Sequence, residues 1–138
     1  MPCTRLVIAA GAWSPKLFSA LFPKATVRIP INPLAGHSLL LQNPFFKTDE
    51  NEVCHAVFAT DTLGFSPELF SRADGEIYIA GLNTTQIPLP DVSVDAKVDP
   101  SAVKKLKDCA AEMLGSVNDG EELQVLRESL VRPWLFSP

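Results

Sequence analysis

The stretch "LVIAAGAWSPKLF" constrains the fold of this chain more than any other part of the sequence. It contains an uninterrupted apolar run, Leu6–Ala10, which is typical of a strand buried on both faces of a parallel sheet. Gly11 then supplies a turn, and Pro15 suits the first position of a helix. We therefore predict a strand over Leu6–Ala10, a glycine turn and a short helix over Pro15–Leu21.

The glycine that follows this run has two explanations. Gly11 either makes a tight turn with positive φ, or allows a bulky ligand to come close to the backbone. Nucleotides bind at the ends of parallel strands in open α/β sheets, which favours the second explanation. The dinucleotide-binding pattern Gly-x-Gly-x-x-Gly does not occur in the sequence, however. A single glycine does not decide between the two.

Later parts of the chain predict several strands and one longer helix. Asp74-Gly75 lies between two alternating runs, which predicts a hairpin with a type I′ turn. "NPLAGH" predicts a turn. Asp99 suits the N-cap of an amphipathic helix that ends at Gly115. We predict strands over Thr26–Ile31, His37–Gln42, Val53–Thr60, Glu68–Ser71, Glu76–Gly81 and Leu123–Leu135.

These elements predict an α+β fold. Hairpin-length links join most of the strands, so the sheet should be mixed and mostly antiparallel, with one amphipathic helix packed on it. The N-terminal strand and helix do not obviously belong to that sheet. With 138 residues, the chain is long enough to bury a core of its own.

Composition excludes several classes of function. The net charge is −4 and no basic block is present, so the charge pattern of a nucleic-acid-binding protein is missing. No apolar run approaches the roughly 20 residues that a membrane-spanning helix needs, and no signal-like segment begins the chain. Cys3, Cys54 and Cys109 do not form a disulfide pattern, which indicates a reducing compartment. We expect an intracellular, cytoplasmic protein.

Few residues suggest chemistry by their spacing alone. His37 and His55 lie on different predicted strands without Cys, Asp or Glu at metal-ligand spacing, so we predict no metal site. No residue pattern identifies a catalytic group. Arg132, in "RESLVRPW", could hold a carboxylate through two parallel hydrogen bonds, could pair with an acid of this chain, or could point outward.

The order of four motifs adds information that no single motif carries. "LVIAAGAWSPKLF", "PINPLAGHSLLL", "LFSRADGEIYIAGL" and "LQVLRESLVRP" resemble, in that order, the later part of FAD-dependent oxidoreductases of the D-amino-acid oxidase superfamily. That superfamily includes glycine, sarcosine and fructosyl-amino-acid oxidases. The resemblance spans nearly the whole chain. It implies a strand that returns from the FAD-binding sheet, followed by a substrate domain with a large mixed sheet.

Several residues receive a role from this resemblance. Gly36 and His37 match the turn that enters the substrate sheet, and Arg132 with Pro133 matches an Arg-Pro pair on a strand that returns toward the flavin. Arg132 is therefore a candidate for binding the substrate carboxylate. The residues that match the segment beside FAD are Ala9, Ala10, Gly11 and Trp13.

The sequence also departs from the family pattern. Family members are more than twice as long and begin with a glycine-rich dinucleotide-binding region. We therefore expect a fragment that lacks this region, with residues 1–24 as a remnant of the FAD-binding domain and residues 25–138 as a substrate-binding-like domain. We expect FAD to bind weakly or not at all, and no turnover by the chain alone.

Two kinds of partner follow from this prediction. The parent enzyme would act on a small amine or amino-acid-like substrate, in the cytoplasm or in peroxisomes, and a separate FAD-binding half could complete the site. In the alternative, the domain is a non-catalytic binding or self-associating module. The exposed strand Leu6–Ala10 would then pair copies of the chain.

Overall fold

A computed structural model describes residues 3–43, 53–60, 65–115, 123–131 and 134–136 of the chain. The described residues form two compact units. The first consists of described residues within Met1–Ala35, Thr84–Ala96 and Arg132–Pro138, and the second of those within Gly36–Asn83 and Lys97–Val131. The predicted division between residues 24 and 25 stays a prediction.

The second unit is built on a five-stranded sheet. The strands are β2 (Ala35–Gln42), β3 (Ala56–Phe58), β4 (Glu68–Ser71), β5 (Glu76–Thr84) and β6 (Val125–Val131). Their order in the sheet is β3-β4-β5-β2-β6, and the pairs β3–β4, β4–β5 and β2–β6 are antiparallel. The predicted α+β fold with a mostly antiparallel sheet is confirmed.

One helix covers a face of this sheet, as the apolar periodicity predicts. Helix α2 (Pro100–Leu114) begins after Asp99, whose side chain accepts a hydrogen bond from the Ser101 backbone N–H, and it ends at Gly115 with φ +77°. The core between helix and sheet consists of Leu39, Leu41, Leu69, Ile77, Ile79, Val103, Leu106 and Ala110. Burying these side chains is the main stabilising term for this unit, at about 1.5–3 kcal/mol for each large one.

The hairpin between β4 and β5 forms at the predicted place with a different turn. Gly75 has φ +82°, whereas Asp74 is not among the described residues with positive φ, so the turn is not type I′. Gly75 N–H donates to Arg72 O at 3.1 Å, and Arg72 N–H donates to Glu76 O at 2.9 Å. This pattern is typical of a three-residue connection, in which a type I turn is followed by a glycine bulge.

The first unit contains a short helix and a small sheet. A 3-10 turn (Gly11–Trp13) leads into α1 (Ser14–Leu21), and β1 (Ile31–Pro33) pairs antiparallel with β7 (Trp134–Phe136). The helix agrees with the prediction. The structure assigns no strand to Leu6–Ala10, because no described strand pairs with this segment.

Other strand predictions need correction. Residues 26–30 form no strand, and the predicted turn "NPLAGH" instead contains the end of β1 and the beginning of β2. Gly36 and His37 therefore lie in a strand rather than in a turn. The strand predicted over Val53–Thr60 shortens to β3. The strand predicted over Leu123–Leu135 divides into β6 and β7, which belong to different sheets.

Candidate functional site

The apolar run Leu6–Ala10, which leads into the residues predicted to lie beside FAD, is exposed at its beginning. Leu6 is 53% exposed and Val7 is 86% exposed, although both have the apolar character of buried strand residues. Ala9 is exposed and Ala10 is half-buried. Neighbouring exposed apolar side chains such as Leu6 and Val7 are candidates for contact with another element.

The turn at the end of this segment leaves the backbone accessible. Gly11 has φ +53°, in the left-handed region that favours glycine. Among the described residues, and apart from its chain neighbours and the backbone of its own short helix, no heavy atom lies within 4 Å of the position that a Cβ of Gly11 would take. Positive φ explains the glycine by turn geometry, and the open space additionally permits a ligand to approach the backbone.

Trp13 fixes the other end of this turn. Its indole Nε1 donates a hydrogen bond to the Pro90 carbonyl oxygen at 2.8 Å, and its backbone N–H donates to Ala10 O at 3.0 Å. The neighbouring Ala12 is buried. The turn from Ala10 to Trp13 is therefore held by one local and one long-range hydrogen bond.

A second contact joins the same two parts of the first unit. The Lys16 ammonium group donates a hydrogen bond to the Asp91 carboxylate and forms an ion pair with it. This hydrogen bond, followed by the charge of Lys16, lowers the pKa of the Asp91 carboxyl below its ordinary value. Both side chains are exposed, so the pair contributes little to the stability of the unit.

A cleft of about 700 Å³ lies beside α1. Its volume is within the range of small-molecule sites, and its lining mixes aromatic and aliphatic side chains with polar ones. It does not include Ala9, Ala10, Gly11 or Trp13, and so does not coincide with the predicted FAD segment. The lining residues are Pro15, Lys16, Phe18, Ser19, Phe22, Pro23, Ala25, Val27, Arg28, Ile29, Pro30, Ile31 and Asn32.

The second unit contains a buried histidine at the beginning of β2. His37 is 2% exposed, and its Nε2 accepts a hydrogen bond from the Asp99 backbone N–H at 3.1 Å. Burial lowers the pKa of His37, and the negative charge of Asp99 opposes part of this shift. His55 lies immediately before β3, and its backbone N–H donates to the Ser71 hydroxyl at 2.7 Å.

The remaining predicted site residues are placed as follows. Arg132 and Pro133 lie outside the described residues, so the role of Arg132 stays a prediction. Within the described ranges, no group of three or more His, Cys, Asp or Glu side chains could hold a metal ion. Across the same ranges, no helix is long and apolar enough to cross a membrane.

Sequence reasoning missed two long-range contacts. Trp13 reaches Pro90 across 77 residues, and His37 reaches Asp99 across 62 residues. The local pattern identified Asp99 as an N-cap, but no spacing rule links a residue to a partner so far along the chain.

Comparison with known proteins identifies relatives of this chain. The sequence profile of the DAO family, described as "FAD dependent oxidoreductase", matches residues 2–135. The fission-yeast (Schizosaccharomyces pombe) protein named "Putative oxidoreductase C1F5.03c" is 32% identical over 110 residues, which cover 80% of this chain and 26% of that protein. No solved structure matches the chain significantly.

A baker's-yeast relative gives a similar picture. The Saccharomyces cerevisiae protein named "Putative oxidoreductase TDA3" is 22% identical over 120 residues, which cover 87% of this chain and 21% of that protein. The chain thus spans about a quarter or less of the length of these relatives. Because the family profile covers almost all of its residues, the chain belongs to the DAO family of FAD-dependent oxidoreductases.

Proposed function

We propose that this chain is the substrate-binding part of an FAD-dependent amine or amino-acid oxidoreductase and that it has no turnover alone. The observation that carries the proposal is the Leu6–Ala10 segment, which has the composition of a buried strand but exposes Leu6 and Val7. Exposed apolar side chains that follow one another in this way are candidates for contact with a partner. In the family resemblance, this segment corresponds to the strand that returns from the FAD-binding sheet, which supports such a sheet as the covering layer.

The residues at the end of this segment are compatible with a flavin nucleotide nearby. The open space at Gly11 and the exposed, small side chain of Ala9 permit close approach by a bulky group. The indole N–H of Trp13 already donates to Pro90, so a contact of Trp13 with FAD would use the ring rather than the N–H group. Ala10 and Gly11 would contribute mainly backbone.

The chemistry of such an enzyme comes from its cofactor. When bound, FAD supplies the electron acceptor for oxidation of a substrate C–N bond to an imine. The protein binds and orients a small amine or amino-acid-like substrate, and Arg132 is the residue we propose to hold its carboxylate. No residue of this chain is assigned as a catalytic acid or base.

We expect the chain alone to retain little or no FAD. Its 138 residues contain no Gly-x-Gly-x-x-Gly pattern, which in dinucleotide-binding folds brings the pyrophosphate to a helix N-terminus. The cofactor would therefore be held by a different segment, which meets this chain at Leu6–Ala10. That partner is the FAD-binding portion of a family member.

A reconstitution experiment tests this proposal. The chain is mixed with FAD, with and without a separately expressed FAD-binding portion of the fission-yeast relative, and flavin absorbance is followed through gel filtration. We expect flavin to co-elute with the chain only when that portion is present. Val7→Asp should prevent co-elution, whereas Val94→Asp should not, because Val94 is 85% exposed in the same unit but lies outside the segment.

Two results would contradict the proposal. A flavin band that remains with the chain alone after gel filtration would show that it holds FAD without a partner. If Val7→Asp and Val94→Asp co-elute with flavin to the same extent in the presence of the FAD-binding portion, Leu6–Ala10 is not the segment that contacts this portion.

The same exposed segment favours a second candidate function, a non-catalytic module that associates with itself. Under this alternative, the melting temperature depends on protein concentration and not on added FAD. Under the first proposal, FAD together with the FAD-binding portion raises the melting temperature, and protein concentration alone does not. Val7→Asp should abolish the concentration dependence if Leu6–Ala10 joins two copies.

A further inference from the structure

The strongest unexplained feature of the second unit is the contact between His37 and the first turn of α2. The His37 ring is buried on β2, and its Nε2 accepts a hydrogen bond from the backbone N–H of Asp99. Asp99 is the N-cap of α2: its side chain accepts hydrogen bonds from the backbone N–H and the hydroxyl of Ser101, each at 2.9 Å. One residue, Asp99, thus connects the buried imidazole to the beginning of the helix.

This hydrogen bond determines the tautomer of the ring. A nitrogen that accepts a hydrogen bond carries no proton, so the neutral imidazole of His37 has its proton on Nδ1. Nδ1 is buried, and within the described part of the chain it has no hydrogen-bond partner. The neutral ring therefore satisfies one of its two nitrogens and leaves a buried donor unpaired, which is costly.

The surroundings of the ring offer one group that can compensate a positive charge. The residue opposite His37 on β6 is Leu130, and the side chain nearest to the neighbouring Gly36 is the uncharged Asn83 on β5. From α2, the Asp99 carboxylate is the charged group, among the described residues, that acts on the ring. Among the described residues, the carboxylate that caps the helix is therefore the group that can compensate an imidazolium at this position.

We propose that His37 and Asp99 form a protonation-controlled latch, in which the neutral imidazole holds the first turn of α2 and the imidazolium releases it. A proton taken from water binds Nε2 and removes the acceptor of the Asp99 N–H group. Two N–H donors then face each other at a partly buried position. The Asp99 carboxylate turns toward the imidazolium, and the hydrogen bonds to Ser101 are lost.

The direction of the switch follows from burial. Because burial disfavours the charged ring, the pKa of His37 in the folded chain lies below its ordinary value of about 6.5, despite the opposing effect of Asp99. The unfolded or released state then binds more protons than the latched state. The latch is closed above about pH 6.5 and loses stability as the pH falls from there toward the folded pKa.

NMR on the ¹⁵N-labelled full chain tests the latch. The ¹⁵N shifts of the His37 ring at pH 8 should show the Nδ1–H tautomer. Amide hydrogen exchange at Ser101 and Val103, corrected for the intrinsic exchange rate, measures the equilibrium constant for opening of the first turn of α2. Below pH 6.5, this constant should rise by up to tenfold for each unit that the pH falls. His37→Gln is the matched control, since its amide oxygen can accept from Asp99 but does not titrate, and its profile should be flat.

Each result decides for or against the latch. An Nε2–H tautomer in the wild-type chain would overturn it, because the ring could then not accept from Asp99. The same pH profile in the wild type and in His37→Gln would also overturn it. Should His37→Gln fail to fold, Asp99→Asn replaces it: this variant keeps a capping oxygen but has no charge to attract the imidazolium, so the release of Ser101 should become smaller than in the wild type.

Discussion

The core between α2 and the sheet permits a quantitative test of the fold. Leu106 is fully buried at 0% exposure and belongs to the same cluster as Leu41, Ile79 and Ala110. Leu106→Ala removes three carbon atoms, which at about 0.8 kcal/mol each corresponds to about 2.5 kcal/mol of lost transfer free energy. The cavity adds to this value, so we expect a loss of about 3–4 kcal/mol, within the range of about 2–5 kcal/mol for buried Leu→Ala changes.

Such a loss is a large part of the stability of the chain. Domains of this kind unfold with a free energy of about 5–15 kcal/mol. The surrounding core residues, which include Val103 and Ala110 on the same helix, are expected to relax only partly into the space that the substitution leaves. With a urea slope of about 1–3 kcal/mol/M, a loss of about 3–4 kcal/mol should lower the unfolding midpoint by about 1–4 M.

Urea titration followed by far-UV circular dichroism measures this change. The matched control is Leu126→Ala on β6, because Leu126 is 42% exposed and removing its side chain leaves no closed cavity. We expect the control to lose about 1 kcal/mol or less. Equal losses for Leu106→Ala and Leu126→Ala would refute the packing of α2 on the sheet as described.

Two further variants test local geometry by the same urea assay. A Cβ added at Gly81 would overlap the Phe65 ring, so Gly81→Ala should destabilise the chain by about 1–3 kcal/mol. Adding Phe65→Leu to this variant should recover part of the loss. If the losses of the two single variants simply add in the double variant, the contact is contradicted. Asp99→Ala should lower the free energy of unfolding by about 0.5–2 kcal/mol, because the Ser101 N–H group loses the side-chain acceptor that caps α2. Asp99→Asn should lower it much less, and equal losses for the two variants would contradict the cap.

The sequence determined the elements whose signals are local. β4 begins and ends at the predicted residues. It is joined to β5 through Asp74-Gly75, and this turn restricts the register in which the two strands can pair. α2 begins after Asp99 and ends at Gly115 as predicted, because capping and apolar periodicity act within a few residues. The order of four motifs indicated the FAD-dependent oxidoreductase family, which the match over residues 2–135 confirms.

Tertiary structure decided the remaining strands and the candidate sites. The apolar pattern of Leu6–Ala10 predicts a strand, but a strand exists only where another backbone pairs with it, and no described strand does so here. Residues 35 and 36 look like a turn in the sequence, yet they begin β2, whose pairing with β6 starts at Gly36 and Val131. The end of the chain divides between two sheets for the same reason.

The contact between His37 and Asp99 shows this limit most clearly. Each residue has a local explanation in the sequence, one as a strand histidine and the other as a helix cap. Their hydrogen bond joins positions 62 residues apart and exists only because the packing of α2 on the sheet brings the cap to the ring. Local preferences act through neighbouring residues, whereas pairing and burial depend on the whole fold, so the sequence specified the elements and the tertiary structure selected their partners.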